Sequence, residues 1–417
     1  MTYGYFTTYD NNINNMKRIL IFSLAYYPNN VSGAEAAVKE ITDRTTADDI
    51  EFHLITLRYN SDLLKEEKIG NVLVHRIGLT KKNPKFEDLG KMPLDLNKPL
   101  YQFLAPLKAC LLHRKYKYDA VWAMMAHSAG VPAVLFKITH PKVGYVLTLQ
   151  EGDPIDYIEK TMKPLWPLFT RAFTKADKVQ AISTFLGNWA KSRGVKKENL
   201  EIIHNGANPR DLVESVSEAE IAELKKQLGK KADDIYLVNT ARLVHQKAND
   251  DVIRALPLLP TNVHFLIVGD GPDEQMLKDL TKELHLENRV IFTGRVDRSV
   301  VTKYRKISDI FVCPSRSEGL GNAFLSAMAS HLPVIATQEG GLEEFIFDAV
   351  RNPNVPTTAW AVDKDSPEQI VSAVKDILAN PEKVKRITDT ARAMVEQKYN
   401  WAMIARDMRE KIFKAIL

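Results

Sequence analysis

No stretch of this sequence approaches the roughly 18 consecutive apolar residues of a membrane-spanning helix, so a helical span is not expected. Cysteine is scarce. Cys110 and Cys313 lie far apart in apolar contexts, which suits reduced, buried thiols and excludes a disulfide framework or a cysteine-based metal site. A large excess of one sign of charge is also lacking: the net charge is +5, enough for an anionic ligand or an acidic lipid surface. The concentrated basic face of a nucleic-acid binder is missing, so no nucleic-acid partner is expected. The opening MTYGYFTTYDNNINN has no apolar core of the signal-peptide kind. A cytoplasmic protein is therefore expected, with the inner face of the membrane as a second location. A complete dinucleotide fingerprint is absent as well. GDGP at 269–272 has Glu274 where a third glycine belongs, and Gly319 and Gly321 are followed by Phe324 at that place, which disfavours nicotinamide binding.

What is present is a regular alternation. KRILIFSLA, FHLITL, VLVHRI, AVWAMM, GYVLTL and KVQAIS read as strands in the first half, and YLVNTA, HFLIVG, VIFTG, DIFVCP and PVIAT in the second, with helical segments between. A chain of 417 residues exceeds what one core organises. The pattern predicts an α/β fold of two doubly wound, Rossmann-like domains with parallel sheets. Residues 1–16 are polar, Asn-rich and aperiodic, so a disordered extension is expected there. The first domain is expected over 17–208, the second over 209–398, and a C-terminal helix over 399–417, with the hinge near 207–211. That last helix has Trp401, Ile404, Met408, Ile412 and Ile416 on one face. Parallel sheets hold ligands beyond the carboxyl ends of their strands, so two facing domains would hold theirs in the cleft between.

The segment 310–341, IFVCPSRSEGLGNAFLSAMASHLPVIATQEGG, carries the strongest signal. It reads as two buried strands around a glycine-broken turn and a small-residue helix that begins just after Gly319 and Gly321. The free amides of Gly319, Leu320, Gly321 and Asn322, with the positive end of the helix, favour a phosphate. Glu318 beside them accepts hydrogen bonds from hydroxyls. A phosphate next to a polyol is a nucleotide sugar. After the strand YLVNTA, the loop RLVHQK places Arg242 and Lys247 where a cleft ligand would meet them, and two cations suit a diphosphate. A solvated surface pair is the plain alternative. Gly33 lies where the first strand hands over to the first helix and can bring its amide to a phosphate, or it is an ordinary turn glycine. Gly294 and Arg295 follow VIFTG, where backbone groups can read the edge of a base. KTMKPLWPLFTRAFTK at 160–175 interleaves aromatic and basic residues. A peripheral membrane contact there is weighed against a buried face with a basic rim, with Pro164 and Pro167 breaking the helical pattern.

Together, SRSEGLGNAFLSAMASHLPVIAT, RLVHQK, VGDGP, HNGA and the early glycine loop resemble the retaining glycosyltransferases of family four, also called group 1, from about Lys17 onward. The resemblance implies the two-lobed GT-B fold, with the C-terminal helix returning to the first domain. By position, Arg242 and Lys247 would hold the donor diphosphate and Glu318 the hydroxyls of the transferred sugar. The amides of 319–322 would meet the sugar and distal phosphate, Gly33 would close over the phosphate, and Arg295 with Val296 would border the base. Such enzymes usually act without a metal, so neither metal nor cofactor is expected beyond the donor.

Departures from the family pattern are specific. Ser326 stands where a second glutamate grips the ribose, and losing a charge-assisted hydrogen bond costs about 1.5–3 kcal/mol. Gln150 stands where many relatives have histidine. Ala241 and Ala248 replace glycines, and Asn208 an aspartate. Glu151 and Asp153 would lie near the reaction centre as acceptor contacts, or in a solvated loop. The expected function is metal-independent, retaining transfer of a sugar, a hexose by analogy, from a nucleotide sugar to a glycan, lipid-linked or small-molecule acceptor. The alternative is a catalytically weak or inactive sugar-nucleotide-binding relative, on the strength of Gln150 and Ser326; a sugar-nucleotide epimerase is a third reading.

Overall fold

β1 (Lys17–Phe22) sends Ile19 and Ile21 to one face and Leu20 and Phe22 to the other, and all four are fully buried. A strand that is apolar on both faces needs cover on both, which a parallel sheet between helix layers supplies. The computed structural model, which describes residues 16–28, 32–45, 49–84, 86–213 and 216–417, contains that arrangement twice. The expected disordered extension lies outside the described residues apart from Met16.

The first sheet adds β2 (Ile50–Leu57), β3 (Glu66–Ile69), β4 (Val72–Ile77), β5 (Ala120–Met124), β6 (Gly144–Leu149), β7 (Lys178–Ala181) and β8 (Leu200–Ile202). Its order is β3-β4-β2-β1-β5-β6-β7-β8, parallel except for β3 against β4. The second sheet contains β9 (Ile235–Asn239), β10 (Val263–Val268), β11 (Val290–Gly294), β12 (Ile310–Cys313), β13 (Val334–Ala336) and β14 (Trp360–Ala361). Its order is β11-β10-β9-β12-β13-β14, all parallel. Each sheet winds outward in both directions from a switch point, between β1 and β5 in the first and between β9 and β12 in the second. Ligands of such sheets bind in the crevice at that point.

The chain passes between the lobes at 203–208 and is fixed just beyond. Asp211, fully buried, accepts from Arg305 Nη2 at 2.5 Å and Nε at 3.2 Å, and from Ser330 Oγ at 3.1 Å. The C-terminal segment, Trp401–Asp407 continued by the wider turns of Met408–Phe413, packs on the outer face of the first sheet. The Phe413 ring meets Trp122 at 5.2 Å and Phe52 at 5.9 Å, edge to face.

Of the two readings of 160–175 the structure fits the buried face, and one expectation, for the cysteines, changes in part. The segment 160–175 forms two short helices, Ile155–Met162 and Trp166–Thr174, whose Met162, Phe169 and Phe173 point inward. Arg193 stacks over Trp166 at 4.1 Å, so this is the buried face with a basic rim. Cys110 is only half-buried on its helix, whereas Cys313 is enclosed, and burial pushes its thiol up to about 11. Both cysteines are free.

Candidate active site

The loop after β9 opens at the second switch point, and the loop after β12 opens beside it. Lys247 closes a short 3-10 turn, His245–Lys247, and its ammonium contacts the carboxylate of Glu318 on the neighbouring loop. Glu318, only 6% exposed, also accepts from Ser315 Oγ at 3.1 Å. Ala248 follows in the left-handed region at φ 50°, the conformation for which the expected glycine is suited. Gly269 and Gly271 back this loop: a Cβ on either would fall 2.1 Å from Ala241 O or 2.2 Å from Leu243 O. VGDGP is thus a close-packed support for the Arg242 loop.

The helix Asn322–Ala329 begins at Gly321, itself left-handed at φ 95°. The amides of 319–322 donate no hydrogen bond among the described residues, and they sit next to Lys247 and Glu318 in the chain's fold. Free amides at a helix start carry partial positive charge.

The first lobe meets this surface directly. A Cβ on Gly33 would lie 3.3 Å from Asn322 Nδ2, and one on Gly319 would lie 2.1 Å from Glu151 O, so neither place accepts a side chain without movement. Ser317 Oγ donates to Gly152 O at 3.2 Å, and Gln246 Nε2 to Asp153 Oδ1 at 3.3 Å. Arg242 is exposed, and although its carbonyl accepts from Val244 N at 3.1 Å, its guanidinium makes no hydrogen bond or salt bridge among the described residues. Its charge nonetheless acts on Glu35 of the first lobe. Burial raises the Glu35 carboxyl above its ordinary range, while Ser32 and Arg242 pull it back. Glu35 accepts from Ser32 N at 2.6 Å and from Ser32 Oγ, closing a capping box on the helix Gly33–Asp43.

Lys247, Glu318 and the amides of 319–322 therefore come together on the second lobe, with Gly33 of the first lobe against Asn322 and the charge of Arg242 reaching Glu35. Other expected residues stand differently. Ser326 is buried, and its hydroxyl accepts from the hinge amide Asn208 N at 3.0 Å. Gln150 and Asn205 exchange side-chain hydrogen bonds at 3.0 and 3.4 Å. Glu151, expected as an acceptor contact, is only 1% exposed, and its oxygens accept from Ala126 N at 2.5 Å and Gln150 N at 2.9 Å. It is a buried clamp joining the loops after β5 and β6, with His127 Nδ1 at 3.5 Å. Arg295 is exposed on the wall of a cavity of about 210 Å³ that is otherwise lined by first-lobe residues, among them Tyr26, Tyr59 and Arg76. Val296 beside it is half-buried.

Two constellations escaped sequence reasoning. Arg316 donates to Asp250 at 3.0 Å, Asp251 at 3.1 Å and Asp365 at 2.6 Å, and to His245 O at 2.9 Å, which fixes the loop carrying Lys247. Glu344 crosses between lobes to the Thr184 amide and to His204 Nε2 at 2.5 Å. The surplus of charge in SRSEG and NDD was a signal for the Arg316 cluster, and the Glu344 latch had none. Burial, opposed by Arg316 and reinforced by Asp250 and Asp365, pushes the Asp251 carboxyl from 3.8 up to about 6. A folded pKa above the unfolded one gives a stability contribution that is full below about pH 4 and lost as pH rises through about 6. Asp251→Asn is expected to flatten the change in melting midpoint between about pH 4 and about pH 7, as read by thermal denaturation.

Among the described residues no three His, Cys, Asp or Glu side chains gather as a metal-ligand set, and no helix is long and apolar enough to cross a membrane.

Two doubly wound lobes, their switch points opposed across one cleft, define the GT-B class. The structure of HepE from Anabaena in complex with UDP and glucose shares the fold, with a TM-score of 0.74 at 20% identity over 95% of this chain and all of that one. Residues 31–211 match the profile of glycosyltransferase family 4, and residues 220–394 that of glycosyl transferases group 1. The chain belongs to the group 1, family 4 glycosyltransferases. An uncharacterized glycosyltransferase of Methanocaldococcus jannaschii is 30% identical over 213 residues, so the chain spans about half of it (53%), and the match takes 51% of this chain. Another from the same organism is 25% identical over 96% of this chain and 100% of its own length.

Proposed function

We propose that this glycosyltransferase moves a sugar from a nucleoside-diphosphate donor to a glycan, lipid-linked or small-molecule acceptor, with retention of anomeric configuration and without a metal. The observation that carries this reading is the meeting of Lys247, Glu318 and the free amides of 319–322 at the second switch point, with the Arg242 guanidinium unpaired on the loop that also carries Lys247. Transfer breaks the bond between the anomeric carbon and the phosphate oxygen, leaving negative charge on the diphosphate. Arg242, Lys247 and the helix-start amides stabilise that charge, which supplies the task a metal performs elsewhere. Glu318 accepts from hydroxyls of the sugar and orients it, so that the acceptor approaches from the face the diphosphate leaves. The contact between Lys247 and Glu318 holds both side chains at the positions the donor will use. HepE, solved with UDP and glucose, supports a nucleotide sugar as ligand. Ser326 and Gln150, each engaged within the protein, favour a second reading in which the donor is bound and turned over weakly or not at all.

A thermal-shift panel of nucleoside diphosphates and their sugars tests the proposal. A ligand that binds only the folded state raises the melting point with occupancy, about 2.7 kcal/mol at a hundredfold excess over Kd. The expected result is a rise with one base, followed by transfer whose product keeps the donor's anomeric configuration by NMR. Binding without any product supports the second reading, and no shift with any nucleotide overturns both.

A further inference from the structure

The helix Asn97–Tyr116 is apolar on two opposed sides. Tyr101, Ala105, Ala109 and Leu112 enter the core of the first lobe. On the other side Leu100, Phe103, Leu104, Leu107 and Leu111 follow at helical spacing, and nothing among the described residues covers them: Phe103 is 51% exposed, Leu107 62% and Leu111 59%. Ile138, on the helix packed alongside, is exposed as well. A contiguous stripe of this kind marks an interaction surface, whereas single exposed leucines do not.

The charge around the stripe names its partner. Between Asn97 and Tyr116 there is no Asp or Glu, while Lys108, Arg114 and Lys115 border the apolar residues. The carboxylates facing the helix are Glu66, 3.8 Å from Lys108 and already bonded to His75, Asp95 in the turn before the helix, and Asp119, whose charge acts on His113. Pairing with a second copy about a twofold axis would lay cations against cations, with no carboxylate on the helix to offset them. An apolar stripe with a cationic border fits an interface that is apolar within and anionic at its rim.

We propose that this helix seats the first lobe on an anionic lipid bilayer, with Leu107 and Leu111 entering the acyl boundary and Lys108, Arg114 and Lys115 meeting headgroup phosphates. The first turns of the helix lie at the carboxyl ends of β1 and β2, where Tyr101 donates to Ile55 O at 2.9 Å and to Ser23 O at 3.3 Å. The cavity of about 210 Å³, lined by Leu24, Tyr26 and Leu57 just past those strands, opens at the same end. The helix runs from that end to the amino ends of the strands, where Tyr116 O accepts from Arg18 Nη1, so docking lays the flank of the first lobe on the membrane with the mouth of the cleft at its edge, within reach of a lipid-linked acceptor. The docking itself does not depend on sugar transfer.

Cosedimentation of the full chain with vesicles of phosphatidylglycerol mixed with phosphatidylcholine, against phosphatidylcholine alone, tests this. The protein is expected to pellet with the anionic vesicles, less so as salt rises. The double variants Leu107→Gln/Leu111→Gln and Arg114→Gln/Lys115→Gln are each expected to lower partitioning about tenfold or more. Both are expected to keep the wild-type melting midpoint, since these side chains face solvent. No sedimentation with the anionic vesicles, or equal sedimentation of the variants, overturns the proposal. So does a dimer in solution that the Leu107→Gln/Leu111→Gln change dissociates, which would assign the face to a second copy.

Discussion

Lys247→Ala is expected to lower turnover about 10²–10³-fold, the loss typical of removing one donor aimed at a developing anion. The ammonium has no bulky packing role to lose with it, being half-buried at the end of a short turn. Its removal takes away a point charge beside the departing diphosphate and leaves Glu318, almost fully buried, with Ser315 as its remaining partner in the structure. An interaction realised mainly as the leaving group gains charge appears in kcat more than in donor affinity. Arg242→Ala should act in the same direction, and the double variant should cost less than the sum, because both cations face one diphosphate. Initial rates at saturating donor, with donor Kd measured by calorimetry, separate the two quantities. An unchanged kcat for Lys247→Ala would remove this residue from leaving-group stabilisation.

The largest stability effect belongs to the hinge. Asp211→Ala leaves the Arg305 guanidinium, 4% exposed, without its bidentate partner, and deprives Ser330 of its acceptor. Removing one member of a buried pair costs about 3–5 kcal/mol, because the other charge stays buried. Thr240 Oγ1, at 3.2 Å from Arg305 Nη1, accepts one hydrogen bond but carries no charge. A surface pair gives the control: Lys385→Ala, whose partner Asp389 is itself 48% exposed, should change stability by no more than about 1 kcal/mol. Urea unfolding of both variants reads the difference. Equal midpoints would mean that the Asp211 pair does not hold the second lobe to the hinge.

The strands were legible where burial on both faces forces apolar runs, as in β1, β6 and β10. β3 (EEKI), β8 (LEI) and β14 (WA) were not, because edge strands of two to four residues carry too little pattern. Arg242, Lys247 and Glu318 were legible because they follow strands whose carboxyl ends must face a cleft. What could not be read was which polar atoms were already spent. The carboxylate of Glu151 is taken by Ala126 N, 25 residues away, and the Ser326 hydroxyl by Asn208 N, 118 residues away. The Glu344 latch to Thr184 and His204 closes over 160 and 140 residues. Sequence spacing holds no trace of such pairs, since the lobes set them by their approach. The exposed stripe on 97–116 was missed for a related reason: apolar residues on both sides cancel the one-sided pattern that marks an interfacial helix.

The most direct test of the cleft is a crystal structure with a nucleoside diphosphate bound. The pyrophosphate is predicted to lie within about 3 Å of Arg242, Lys247 and at least one amide of 319–322, hydrogen-bond distance for charged partners. A pyrophosphate held elsewhere, with Lys247 and Glu318 still closed on each other and away from it, would contradict the account.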